Sequence, residues 1–407
     1  MRKRILIISP TPTHPTNGGN RRRIYALLEA IQALDHEFHF AFFPMEGGDR
    51  GAMEKRWGAQ RVSVLPYTFK PRYAAFWRRV RNFTLRHLGI EEFHPSEVDV
   101  FASPELAKRV WEVFCQFRPS SVIVEYVFNS WLLEQFPATV RKLIDTHDVF
   151  ADRYKLFHKA GVKPEWFSTT RRQERKGLRR ADCVIAIQDR EAEYFRRLTN
   201  RQVVTVGHIT PVLPLPEPAG AGATVLFVGG DNPSNRDALE FCFQEVWPLI
   251  RAVLPEACLK VAGPVCCHFS GPPAGVDLLG EIADITAAYA QAQVVLNPLR
   301  FGTGLKIKSV EALSYGRPLV TTSVGAEGLG AGCEGAWMVG TDAKGLADHC
   351  VRLLRDAVER HTLAAQAVHY VADSNVRQYQ ALREALEVNP KPVLHSNSGA
   401  PAVPFDS

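Results

Sequence analysis

Short unbroken apolar runs alternate along this chain with longer stretches of helical spacing. The first runs are Ile5–Ile8, Phe38–Phe43, Val62–Leu65, Ser121–Glu125, Lys142–Asp145, Cys183–Ile187 and Val203–Val206; a second series is Thr224–Val228, Leu259–Gly263, Val276–Gly280, Val294–Leu296 and Leu319–Thr322. Runs apolar on both faces are the mark of buried parallel strands. Between them, Ile24, Leu27, Leu28 and Ile31 recur at helical spacing in a helix ending near Leu34, and helices are predicted near Thr169–Arg180, Glu191–Leu198, Leu305–Tyr315, Lys344–Arg355 and Ala364–Leu386. Strands alternating with helices predict an α/β fold of doubly wound sheets.

The alternation breaks once, at HITPVLPLPEPAGAGA, where four prolines and two glycines make a semi-rigid linker over residues 208–223. On either side the chain opens in the same way. A strand, a glycine pair and a helix start follow one another at Gly18-Gly19 and again at Gly229-Gly230. We therefore expect two facing Rossmann-like domains with parallel sheets and an interdomain cleft. The expected division is 1–207, 208–223 as linker, 224–362, a C-terminal helix 363–389 able to pack back on the first domain, and a Pro/Ser/Gly/Ala-rich disordered tail 390–407. Ligands bind at the carboxyl ends of such strands, so both glycine pairs face the expected site; a plain tight turn is the competing reading for Gly18-Gly19.

A length of 407 residues suits two domains. The net charge of +6 permits acidic partners but is too small to point to nucleic acid. Eight scattered cysteines, with only Cys266 and Cys267 close together, exclude a C-x-x-C zinc or redox motif and fit reduced thiols. The run Ile5–Ile8 is too short for a signal-peptide core, and no span approaches the ~18 apolar residues of a membrane helix. The expected location is the cytoplasm, at most touching a membrane. One stretch bears on that contact: residues 70–88 put Tyr73, Phe76, Trp77, Val80 and Phe83 on one helical face among Arg72, Arg78, Arg79, Arg81 and Arg86. It reads either as an interfacial helix or as an ordinary helix covering the sheet.

The densest chemistry lies in VVLNPLRFGTGLKIKSVEALSYGRPLVTTSVG, residues 294–325. The pattern predicts strand, glycine turn, helix, a Gly316 C-cap, then Pro318 and another strand. On a helical wheel Lys306 falls inward and Lys308 outward. A cation in the first helical turn opposes the helix dipole, so an inward lysine there points to a bound anion. Gly302 and Gly304 let backbone N–H groups approach such an anion. The alternative is a lysine lying over an ordinary helix start. Gly302-Thr303-Gly304 lacks the third glycine of G-x-G-x-x-G, and no Gly-Lys-Ser/Thr triplet occurs for a P-loop. His147, at the end of Asp145-Thr146-His147-Asp148, stands where a parallel strand presents a ligand group, or caps the next element.

This stretch resembles the nucleotide-sugar site of family 4 glycosyltransferases, enzymes with the two-domain GT-B fold. The matching positions are the loop G-T-G-L-K-x-K, then Glu311-Ala312, Pro318-Leu319-Val320 and Gly325-Ala326-Glu327-Gly328. The resemblance implies that Lys306 meets the donor diphosphate and that Glu311 holds the nucleotide ribose; a Lys308–Glu311 surface pair is the competing role. It implies further donor contacts from Gly18, Gly19, Gly229, Gly230, Asn235, Ile282, Gly302, Thr303 and Gly304, and places His147, with Asp148, close to the donor sugar. In many members a second glutamate stands where this chain has Thr303, so that position offers no direct carboxylate. The implied activity is retaining transfer from a nucleoside-diphosphate sugar to a glycan or lipid-linked acceptor in envelope polysaccharide synthesis. No cofactor or metal is implied, in keeping with the lack of an Asp-x-Asp triplet. An epimerase or phosphorylase on the same fold, and a binding protein without catalysis, are the alternatives.

Overall fold

The computed structural model describes residues 2–68, 95–164, 166–218, 222–282, 284–330 and 335–387. The 70–88 stretch and the 390–407 tail lie outside the described residues. The first sheet contains β1 (Arg4–Ser9), β2 (Glu37–Phe42), β3 (Val62–Val64), β4 (Ser121–Glu125), β5 (Arg141–Asp145), β6 (Cys183–Ala186) and β7 (Gln202–Thr205). The second contains β8 (Thr224–Val228), β9 (Cys258–Ala262), β10 (Val276–Gly280), β11 (Val294–Asn297), β12 (Leu319–Thr321) and β13 (Met338–Val339). The strand orders are β3-β2-β1-β4-β5-β6-β7 and β10-β9-β8-β11-β12-β13. Neighbours pair in parallel throughout.

The apolar runs become strands because helices cover both faces: every residue of β4 and of β11 is buried. In each sheet the order reverses once, between β1 and β4 and between β8 and β11. A crevice opens at such a switch point, beyond the carboxyl ends of the strands. The loops that leave these four strands carry Gly18-Gly19, Tyr126, Gly229-Gly230 and residues 298–306.

The C-terminal helix, Ala357–Glu387, starts earlier than the helical spacing predicts and runs unbroken for 31 residues. Leu363 packs in one apolar cluster of the second sheet, and Ala367, Tyr370 and Val371 in another. Leu382, Ala385 and Leu386 belong instead to the first sheet's core, with Ile5, Leu143 and Ile185. Arg141 Nε donates to the Ala385 carbonyl at 2.6 Å, and Gln378 Oε1 accepts from Gly207 N at 2.5 Å. The Pro104–Phe117 helix, with Ser103 accepting from Leu106 N, went unassigned in the sequence although Leu106, Val110, Val113 and Phe117 keep helical spacing. Among the described residues no helix is long and apolar enough to cross a membrane.

Docking of the C-terminal helix gives a stability test. Leu382 is fully buried, so Leu382→Ala should destabilise by about 2–5 kcal/mol. A lowered urea midpoint with an unchanged slope checks this.

Candidate functional site: the seam between the two sheets

The Ile307–Ser314 helix begins later than its sequence pattern suggests. Lys306 is its N-cap, with φ −83° and ψ 85°, and lies outside the helical register. Gly302 and Gly304 take φ of 137° and 73°, which a side chain resists. This curls the loop so that the Lys306 ammonium donates to the carbonyls of Thr303 at 3.0 Å and Gly304 at 2.6 Å. Glu327 stands 3.9 Å from it. Burial lowers the Lys306 pKa, and Glu327, Asp148 and Glu191 work in the opposite direction.

Lys308 does not face outward. Residues 307 and 309–314 are all buried, so the helix is enclosed on nearly every side and the face carrying Lys308 meets protein. Its ammonium donates to Asn235 Oδ1 at 2.6 Å and sits 4.6 Å from the Phe227 ring centroid. Among the described residues it makes no ion pair with a carboxylate. Burial, with Lys306 nearby, pushes its pKa down to about 7.

Asn235 links this cation to the loop after β8. It lies in the Pro233–Phe241 helix, capped by Asn232, whose Oδ1 accepts from Asn235 N at 3.0 Å. Its Nδ2 donates to the Gly230 carbonyl at 2.9 Å. A Cβ on Gly302 would stand 3.6 Å from Ser234 Oγ, so the 302–304 loop lies beside this helix's N-terminus. Gly229 is hemmed in by Phe227, Val265 and Asn235, whereas the space at Gly230 is open.

The first domain meets this loop directly. Thr303 Oγ1 donates to Asp148 Oδ2 at 2.6 Å, and Arg153 Nε stands 3.2 Å from the same oxygen. A carboxylate thus reaches position 303 from the opposite domain. A Cβ on Gly304 would lie 3.3 Å from the His147 carbonyl. His147 Nε2 lies 2.5 Å from Glu125 Oε2, within its own domain.

Glu311 is buried, and Arg22 of the Gly19–Ala33 helix donates to it; a surface pair with Lys308 is not formed. Burial raises the Glu311 pKa against the opposing effect of Arg22. Gly18 caps the Gly19–Ala33 helix with no side-chain acceptor, and a Cβ on Gly19 would stand 3.7 Å from Ile307 Cδ1. Asn17 Nδ2 donates to Glu281 Oε1 at 2.5 Å, beside Ile282, whose side chain packs against an apolar cluster of the second sheet. The seam therefore gathers Gly19, His147, Asp148, Asn235, Gly302, Thr303, Gly304, Lys306 and Glu311.

Sequence reasoning missed Arg22, Glu125, Arg153 and the inward role of Lys308. Arg22 was open to the same inference as Lys306, since Arg21-Arg22-Arg23 places cations at a helix start. Two groupings carry metal-ligand chemistry among the described residues: Asp231 with Cys267 and His268, and Glu125 with Asp145 and His147. In each an arginine already neutralises a carboxylate, Arg236 on Asp231 at 2.7 Å and Arg23 on Asp145 at 3.0 Å.

Two parallel-sheet domains meeting at their switch points across a glycine loop and buried cations define a GT-B protein. The chain belongs to the group 1 glycosyl transferases: residues 222–356 match the family described as "Glycosyl transferases group 1", and residues 18–207 match "Glycosyl transferase 4-like domain". Sucrose-phosphate synthase from Thermosynechococcus elongatus superposes with TM-score 0.63 at 18% identity, over 94% of this chain and 99% of that one. S. aureus TarM, solved with UDP and an α-GlcNAc-glycerol ligand, gives 0.64 at 10% identity, over 93% and 99%. Anabaena HepE, solved with UDP and glucose, gives 0.62 at 14%, over 94% and 99%. In sequence, an uncharacterized 44.6 kDa protein in the cps region of Klebsiella pneumoniae is 22% identical over 162 residues, 37% of this chain and 42% of that protein.

The Arg22–Glu311 contact is testable as a coupled pair. Arg22→Met should strand a buried carboxylate, and adding Glu311→Gln should restore part of the loss. A double-mutant cycle in thermal unfolding should return a coupling above about 1 kcal/mol.

Proposed function

We propose that this protein moves a sugar from a nucleoside-diphosphate sugar, with the diphosphate seated at the start of the Ile307–Ser314 helix, to a glycan or lipid-linked acceptor. The observation carrying this reading is the pair of cations, buried Lys306 and part-buried Lys308, beside the Gly302–Gly304 amides and the Asn235 helix start. Buried charge of one sign calls for a counter-charge, and Lys308 has no carboxylate of its own among the described residues. As the bond from the sugar's anomeric carbon to the phosphate oxygen breaks, negative charge develops on the diphosphate. Fixed ammonium groups and N–H donors stabilise that charge. The chemistry needs no metal ion for this, and retention of configuration is the stereochemistry we assign. The UDP named with the TarM and HepE structures supports a nucleoside diphosphate as the ligand class. The cps-region location of the Klebsiella relative supports a role in surface polysaccharide assembly.

Glu311 is the group we assign to the ribose hydroxyls, where the nucleotide would compete with Arg22. Asp148, joined to Thr303, stands where the donor sugar would lie.

Incubation with a panel of nucleotide sugars and mass spectrometry of the products tests the reading. Lys306→Ala and Lys308→Ala should each lower turnover about 10²–10³-fold. Full turnover by both variants, or no nucleoside diphosphate released from any donor, would overturn it.

The Lys308 pKa near 7 adds a pH signature. A bound diphosphate raises that pKa, so binding takes up a proton. The gain is complete below the free-state pKa and is lost as pH rises through the bound-state pKa. UDP affinity should therefore fall as pH rises from about 6 to about 9. Subtracting the profile of Lys308→Met removes the ligand's own titration and should isolate this slope; superimposable profiles would contradict it.

A further inference from the structure

The Glu125–His147 contact is a built feature of the seam that diphosphate binding leaves unused. Glu125 ends β4 and is inaccessible to solvent; His147 follows the neighbouring strand β5 and is nine-tenths buried. The ring's Nε2 lies 2.5 Å from Glu125 Oε2. Tyr126 stacks on the ring with centroids 4.0 Å apart and planes within 18°. Tyr126 and His147 take φ of 67° and 60°, so two adjacent strand ends hold non-glycine residues in the left-handed region. Such strain persists where its surroundings over-determine it.

The neighbouring charges single out Glu125 as the partner. Asp145 Oδ2 stands 3.9 Å from the same Nε2, but both Asp145 oxygens are held by Arg23 at 3.0 Å. Arg23 also donates to the Gly207 carbonyl. Asp145 is thereby neutralised within its own pair, and Glu125 is left to the imidazole. Burial, then Asp145, raises the Glu125 pKa, and the imidazole beside it and Arg23 favour the carboxylate form. An ionised carboxylate can only accept a hydrogen bond, so the ring nitrogen it faces must carry the hydrogen. Neutral imidazole has one N–H, and its other nitrogen is then an acceptor.

We propose that Glu125 is a positioning residue that keeps the proton of His147 on Nε2, so that Nδ1 presents a lone pair to a hydroxyl of the bound sugar substrate. The identity of that substrate rests on the glycosyl-transfer reading; the tautomer does not. Tyr126 stacking fixes the ring plane and Glu125 fixes its rotation about that plane. The Asp148–Thr303 contact, one residue along the chain, brings the second domain's loop to the same place.

The test begins with the ligand-free protein labelled with 15N-histidine, using His147→Gln for assignment. In the wild type the Nε2-bound proton of His147 should resonate far downfield of the other ring protons, with Nδ1 showing the shift of an unprotonated nitrogen. Glu125→Gln should move that proton upfield by removing the charged acceptor. A wild-type ring protonated on Nδ1 alone, or an Nε2 proton unmoved in Glu125→Gln, would overturn the proposal, and the wild-type spectrum decides even if the variant does not fold. In a transfer assay Glu125→Gln should lower kcat about 10²–10⁴-fold with little change in the KM for donor. Wild-type kcat in that variant would also overturn it. If the wild type transfers no sugar at all, the transfer reading fails while the spectrum still decides the tautomer.

Discussion

Charge placed out of reach of water governs the seam between the two sheets. Lys306 is surrounded by loop carbonyls and by carboxylates from both domains, Lys308 is held by Asn235, Glu311 by Arg22, and Asp145 by Arg23. The pairings of Lys308, Glu311 and Asp145 join elements far apart in sequence, because a buried charge must find its partner wherever the fold brings one. The glycine loop at 302–304 is the geometric counterpart. Its positive φ values turn carbonyls toward Lys306 and bring the Gly304 backbone against the His147 carbonyl. Local conformation and long-range electrostatics thus meet in one short segment, and the site takes its form from both.

The strands were legible in the sequence because burial on both faces leaves unbroken apolar runs, except Met338–Val339, a two-residue edge strand that is not fully buried, and the two-domain plan because the linker's prolines interrupt the pattern. The glycine pairs lie in the loops that leave β1 and β8, and neither pair takes a positive φ. The surroundings of Lys308 were not legible: a helical wheel takes the face away from the core to be solvent, and this helix is enclosed on nearly every side. Nor were Arg22–Glu311 and Asp148–Thr303, since each joins residues of different domains. The sequence showed that a carboxylate was missing at Thr303, and only the fold shows Asp148 beside it. Glu125 reads in the sequence as the last residue of an apolar run, and its partner His147 belongs to the next strand.

The group 1 family match fixes the class of chemistry, and these pairings define the seam in this chain. Both sides of the seam contribute to the same small region. The first domain brings Asp148, Arg153 and Arg22; the second brings Thr303, Lys306 and Glu311. The arrangement therefore depends on the two sheets holding their relative placement, which local sequence cannot specify.

That placement has a mechanical consequence. The chain passes between domains twice, in the linker and in the Ala357–Glu387 helix, and the two passages are tied together: Asn375 exchanges hydrogen bonds with Thr210 in both directions, and Gln378 holds Gly207. Two crossings fastened at one spot behave as a single pivot. The helix, about 46 Å long at 1.5 Å per residue, is anchored in one core at each end and resists sliding or twisting of one sheet past the other. What remains is a jaw-like swing about the fastened point. In such a swing each contact moves in proportion to its distance from the fastened point, so a small rotation at the hinge becomes a larger change of gap on the far side of the seam.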